Sequence, residues 1–229
     1  VYDARRDRFL LYCRPRLVYR GWVDPRDRGA TRRIARMVRH GDPWTMWPDD
    51  PSTVAIPDGG YTDRDFHYFY GMPVQYYGGV FFGQRWPFKL NTDIYTELVF
   101  SRDGARFEPL PERPALIPLG EEGAWDDGMT FGCSWVEVGD EWWLYYAGWD
   151  GPHGEGGRSS GMGLARIRKE GFVSMHGPAA GGGVVSTRPL TWPGGDLVIN
   201  AATAPEGRLC VRVTGPRRAP VEGDRKSVV

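Results

Sequence analysis

The chain has 229 residues, and its 29 Lys and Arg balance 29 Asp and Glu, so it carries no formal net charge. That balance disfavours nucleic acid as a partner, which selects a basic surplus, and a hydrophobic share of 41% excludes a disordered chain. No apolar run approaches the roughly 18 residues of a membrane-spanning helix, so no such span is read.

Aromatic residues make up 14% of the chain, alongside 32 Gly and 19 Pro. Aromatics with many turn formers predict short strands joined by tight turns, hence an all-β fold. No convincing helix is present; Arg32 to Arg39 is the one stretch with some helical character. Cys13, Cys133 and Cys210 are scattered and odd in number, and the four histidines are far apart. Neither set forms a disulfide framework or a local metal motif, and no metal or organic cofactor is expected.

In chain order, an aromatic-rich strand recurs at Phe9–Cys13, Val80–Gly83 and Trp142–Tyr146. A second strand follows each, at Ile34–Val38, Ile94–Phe100 and Met162–Ile167. Each second strand runs into a charged turn closed by Gly41, Gly104 or Gly171, with Trp44, Phe107 or Phe172 following. The glycines recur about every 65 residues, the length of a propeller blade with generous loops. The aromatic after each turn is expected to pack between neighbouring sheets. Asp103, in Ser101-Arg102-Asp103-Gly104, is expected to serve its own turn amides. The long polar loops, Pro48 to Asp65 and Asp150 to Gly161, are the places to look for function. Beyond Ser174 the texture loosens, with short strand candidates at Val184–Thr187, Leu197–Asn200 and Leu209–Val213. The expected organisation is a propeller part over 1–177 and a truncated β-sandwich-like module over 178–229.

Glu97-Leu98-Val99-Phe100-Ser101-Arg102-Asp103-Gly104, Trp125-Asp126-Asp127-Gly128, Trp143–Gly148 with His153 behind it, and Gly163–Ser174 carry a resemblance. At these residues the chain resembles the five-bladed β-propeller glycoside hydrolases of the family 32/43 type, in a bacterial branch. The resemblance implies a carbohydrate substrate and hydrolysis by paired carboxylates. About three blades are countable, so the expectation is a partial five-bladed propeller lacking its N-terminal blades. The base and helper carboxylates of such enzymes would then lie upstream, and this piece alone would be inactive. The opening Val1-Tyr2-Asp3 and closing Ser227-Val228-Val229 are read in the same way, as a piece of a longer protein whose compartment is unknown.

Glycoside hydrolysis needs two carboxyl groups roughly 5 to 10 Å apart across the scissile bond. Asp126 and Asp127, at the entry to a strand beside Trp125, are the leading catalytic candidates; the plain alternative is a capped turn. Asp65, with Asp63, stands in the equivalent place one blade earlier as a substrate contact, or simply in a solvated loop. Glu97 lies mid-strand, so it is either a third catalytic candidate or an ion-pair partner of an arginine, with Arg36 and Arg166 the candidates. His153 in its glycine-rich loop is a candidate for substrate hydroxyls, or an exposed loop histidine. Trp125, Tyr146, Trp149 and Trp86 are candidate sugar platforms, while most other aromatics are expected to be core. A competing function is a non-catalytic propeller that binds glycans or scaffolds proteins.

Overall fold

The computed structural model describes residues 1–14, 33–47, 52–55, 68–88, 92–178, 181–219, 221 and 227–228. Asp63 and Asp65 lie outside the described residues. The protein is all-β: among the described residues the one helical element is a three-residue turn at Pro216–Arg218. Two compact units divide the chain, Val1–Lys169 and Glu170–Val229.

The first unit is a succession of antiparallel meanders. β1 (Tyr2–Asp3), β2 (Arg8–Cys13), β3 (Ile34–Arg39) and β4 (Ser52–Ala55) form one sheet in chain order. Of the stretch Arg32 to Arg39, Ile34–Arg39 is therefore strand rather than helix, and Arg32 lies outside the described residues. Branched Ile34 and Val38 suit a pleated surface, and Ile34 and Ala35 are buried. β5 (Tyr68–Phe69) pairs outside the second sheet, with β8 (Pro87–Phe88). That second sheet comprises β6 (Val74–Tyr77), β7 (Val80–Arg85), β9 (Thr96–Ser101), β10 (Glu108–Pro109) and β11 (Ala115–Ile117). Tyr77 pairs with Val80, so the β6–β7 loop is the two residues Gly78 and Gly79. Both have positive φ, the twist-matching turn that only glycine adopts readily. The third sheet is β12 (Met129–Val138), β13 (Glu141–Trp149) and β14 (Ser160–Arg168). Single bridges Phe88–Ile94 and Ile94–Met129 connect the β5–β8 pair to it.

Aromatic contacts join the sheets. Tyr12 of β2 meets Phe107 edge-on at 5.6 Å, and its hydroxyl donates to the Gly104 carbonyl at 2.7 Å. Tyr77 meets Trp142 at 4.9 Å, and Phe82 meets Trp135 at 5.8 Å. Leu10, Phe69, Phe81, Val99 and Phe107 form one buried cluster; Phe88, Ile94, Met129 and Phe131 form another. Each fully buried Phe contributes about 1.5–3 kcal/mol of transfer free energy.

The repeated turns are less uniform than expected. Phe107 packs in the core, whereas Trp44 is 92% exposed. The Arg39 guanidinium explains Trp44: it holds the carbonyls of Asp42 and Met46, folding the loop back on β3 and leaving Trp44 outside. Gly41 and Gly104 take positive φ, but in the third turn Glu170, not Gly171, does so.

In the second unit, β15 (Cys210–Val211) pairs with β16 (Ser227–Val228). Val184–Thr187 and Leu197–Asn200 are irregular, contrary to the strand expectation. Val184 and Val198 are exposed there, so no apolar face is buried to hold a ladder.

Candidate functional site

The segment Gly120–Gly128 is a compact loop that leads into β12. The amide of Ala124 bonds the Glu121 carbonyl at 2.8 Å, and Gly120 bonds the Asp126 carbonyl at 3.2 Å. Asp127 Oδ2 accepts the Gly123 amide at 2.7 Å, so this carboxylate closes its own turn. The loop is pinned to β13 where Gly128 donates to the Trp149 carbonyl at 2.9 Å.

The loop drops Trp125 and Asp126 onto a floor of glycine. Cross-strand register pairs Tyr146 with Gly163 and Gly148 with Gly161, and alternation puts all four on one face. A Cβ at Gly148 would stand 2.6 Å from both Asp126 Cβ and the Trp125 ring. One at Gly161 would meet the Trp125 ring at 2.9 Å, and one at Gly163 the Tyr146 ring at 2.2 Å. Three missing side chains thus let two rings lie flat on the sheet. Trp125 and Tyr146 stack at 5.7 Å with an interplanar angle of 23°. Trp125 remains 41% exposed, while Asp126 beside it is only 8% exposed.

The Tyr146 hydroxyl donates to Asp126 Oδ2 at 2.8 Å. Burial, then the hydrogen bond to Asp126 and its charge, push the Tyr146 hydroxyl up to about 12. Tyr146 therefore stays a proton donor at neutral pH, and Asp126 the acceptor. Asp126 Oδ1 faces Gly120, where a Cβ would stand 2.2 Å away. The result is an aromatic shelf with one open face and a carboxylate at its edge. Such a surface can stack on an apolar ring face and accept a hydrogen bond from a hydroxyl.

His153 and Trp149 belong to a neighbouring cluster. The His153 amide bonds the Thr92 carbonyl at 3.0 Å, and its Nε2 lies 3.2 Å from the Tyr70 hydroxyl. Its ring lies 4.7 Å from that of Phe88. His153 is thus built into an aromatic seat rather than hanging in a loop. Trp149 meets Phe131 edge-on at 5.1 Å and packs partly buried against the Phe88–Phe131 cluster. Trp86 packs against the same cluster, its indole N–H on the Gly132 carbonyl at 3.2 Å. The two loops come together at Gly128, where a Cβ would lie 2.1 Å from the carbonyl carbon of Gly151.

Glu97 is 1% exposed and takes part in a buried ion-pair cluster. Arg85 Nε approaches Glu97 Oε1 at 2.5 Å, and Arg113 grips both oxygens at 2.9 Å. Arg85 also lies over the Phe69 ring at 4.1 Å. These partners replace the expected Arg36 and Arg166. Arg85 is the residue directly opposite Glu97 in the β7–β9 register, while Arg166 lies 3.7 Å from Glu141. Among the described residues, no group of three or more His, Cys, Asp and Glu is placed to hold a metal ion. Gly148, Gly161 and Gly163 are site residues that were not among the sequence candidates. The signal was there, since glycines at alternate positions inside strands mark close approach of another group.

No family model and no curated protein matches the sequence. Among solved structures, the chain is similar to an N-acetylgalactosamine deacetylase from F. plautii in complex with blood group B trisaccharide, at 17% identity and a TM-score of 0.48. That match covers 75% of this chain and 49% of the other. A glycoside hydrolase is similar at 12% identity and a TM-score of 0.43, over 63% of this chain and 39% of the other. The chain spans less than half the length of either. No residue role is carried over from likenesses this distant.

Proposed function

We propose that the chain is part of a carbohydrate-active protein and that the Trp125–Tyr146–Asp126 shelf receives a sugar ring. The observation that carries this reading is the half-exposed indole lying flat on glycine beside a carboxylate held by the Tyr146 hydroxyl. Sugar rings present one apolar C–H face and a rim of hydroxyls, and an indole with an adjacent acceptor complements both.

In the finer form of the proposal, the intact protein is a glycoside hydrolase using paired carboxylates, with Asp126 the member supplied here. The successive meanders of the first unit suit blades of a five-bladed propeller, a fold that would gather acids from several blades near its axis. Asp127 and Glu97 fit that role less well, because a turn amide holds one and two arginines hold the other. His153, in its seat on Tyr70 and Phe88, is proposed as a contact to substrate hydroxyls.

A second reading, non-catalytic glycan binding, is favoured by that same commitment of Asp127 and Glu97. The test is an oligosaccharide panel titrated into the full chain by calorimetry, with product analysis of each bound sugar. Trp125→Ala should abolish binding. Asp126→Asn should abolish product formation if hydrolysis occurs. Binding without product selects the second reading, and binding that survives Trp125→Ala removes the shelf from the site.

A further inference from the structure

We infer that the shelf selects neutral or amine-bearing sugar rings and turns away acidic ones; this rests on the saccharide reading above. Three observations carry it. First, the inner side of Trp125 is filled by Gly148, Gly161 and the Tyr146 ring, so a ligand meets only the outer face, next to Asp126.

Second, Asp126 is 92% withdrawn from solvent, counting from its 8% exposure, and its described partner is the neutral Tyr146 hydroxyl. Among the described residues no cation is paired with Asp126, and a carboxylate so placed presents negative charge in a medium that screens it poorly. It accepts a hydroxyl or ammonium proton and repels a carboxylate or sulfate.

Third, the charge of the chain is unevenly spread despite its zero sum. From Pro114 to Gly157 there are nine acidic residues and no Lys or Arg. That segment contains the whole loop around Trp125, including exposed Glu121 and Glu122. Of the flanking basic residues, Arg113 is ion-paired with Glu97, while Arg158 turns its guanidinium to the Asp150 loop, where Nη1 donates to the Pro152 carbonyl at 2.9 Å. Glu137 and Glu141 pair with Lys169 and Arg166 at the other end of the β12–β13 hairpin, so the like charge that an anionic ring meets at Trp125 comes from Glu121, Glu122, Asp126 and Asp127 of its own loop.

Two measurements on the full chain test this. The Trp125 contribution to fluorescence, taken as wild type minus Trp125→Phe, is quenched with acrylamide, iodide and caesium. Iodide is expected to quench several-fold less well than acrylamide, caesium better than iodide, with the gap narrowing in Asp126→Asn. Calorimetry then compares galacto-oligosaccharides with oligogalacturonates of equal length. The neutral sugar should bind at least tenfold more tightly, and Asp126→Asn should shrink that ratio. Iodide quenching equal to acrylamide, or a uronate bound as tightly as its neutral counterpart, overturns the charge selection. Failure of both sugars to bind while iodide remains excluded overturns the saccharide reading itself.

Discussion

The Tyr146 hydroxyl and Asp126 Oδ2, 2.8 Å apart, join the middle strand of the third sheet to the loop that enters it. Tyr146 is on β13 and its ring covers Gly163 of β14, so the carboxylate is oriented by a group that the sheet itself fixes. A tyrosine held in this way positions Asp126 more than it offers a platform, because Trp125 covers its other face.

Tyr146→Phe keeps the ring and removes the donor to a nearly buried oxygen. The expected cost is about 1–3 kcal/mol of stability. The pH dependence has a definite sign. A hydroxyl raised from 10 to about 12 in the folded state retains its proton longer folded than unfolded. Its stabilisation is complete below pH 10 and is lost as pH rises through about 12. Urea denaturation from pH 8 to 12 should show a steeper loss for wild type than for Tyr146→Phe. Parallel curves would exclude the coupling.

The glycine floor predicts a graded series. Gly163→Ala puts a methyl 2.2 Å from the Tyr146 ring, Gly161→Ala one 2.9 Å from Trp125. Neither glycine has a positive φ, so the cost is steric and falls on the rings. Overpacking of this kind costs about 1–3 kcal/mol, with Gly163→Ala the larger. Gly161→Ala should be nearly neutral in a Trp125→Ala background. A double-mutant cycle by thermal denaturation checks this; a coupling near zero would mean Trp125 does not lie on Gly161.

The strands were largely legible in the sequence, and the contacts between them were not. β2, β7 and β13 declare themselves through aromatic and branched residues, and the Gly78-Gly79 turn fixes its own register. Glu97 was recognisable as needing a partner, but naming Arg85 requires the β7–β9 register. Arg113 reaches Glu97 after consecutive left-handed residues, Glu112 and Arg113, a conformation that no sequence pattern announces. Asp126 and Asp127 are indistinguishable as neighbours in sequence. Only the fold separates them, sending one to Tyr146 and the other back to Gly123.

Glu97 leads to a prediction about stability. Replacing it by Gln leaves Arg85 and Arg113 buried around an uncharged amide. Loss of one member of a buried ion pair costs about 3–5 kcal/mol, because the remaining charges stay desolvated. Chemical denaturation of Glu97→Gln should show that loss, with Arg85→Gln comparable. A change under 1 kcal/mol would mean that Glu97 is not held as an ion pair and would return it to the catalytic candidates.

Asp103 tests the acid side. Burial pushes its carboxyl up, but the amides of Arg106 and Ala105 and the Ser101 hydroxyl outweigh this and leave it below the usual range. Oδ1 takes those amides at 2.9 and 2.8 Å. With the folded value depressed, the contribution is present above the unfolded value near 3.8 and is lost as pH falls below it. The same turn anchors β2, since Tyr12 bonds the Gly104 carbonyl and Arg8 Nη2 the Asp103 carbonyl at 3.2 Å. Asp103→Asn should therefore weaken the junction of the first two sheets at neutral pH and flatten the acid limb of the stability curve. Denaturation between pH 2.5 and 7 reads both effects. An unchanged acid limb in Asp103→Asn would show that the turn is held by glycine conformation alone.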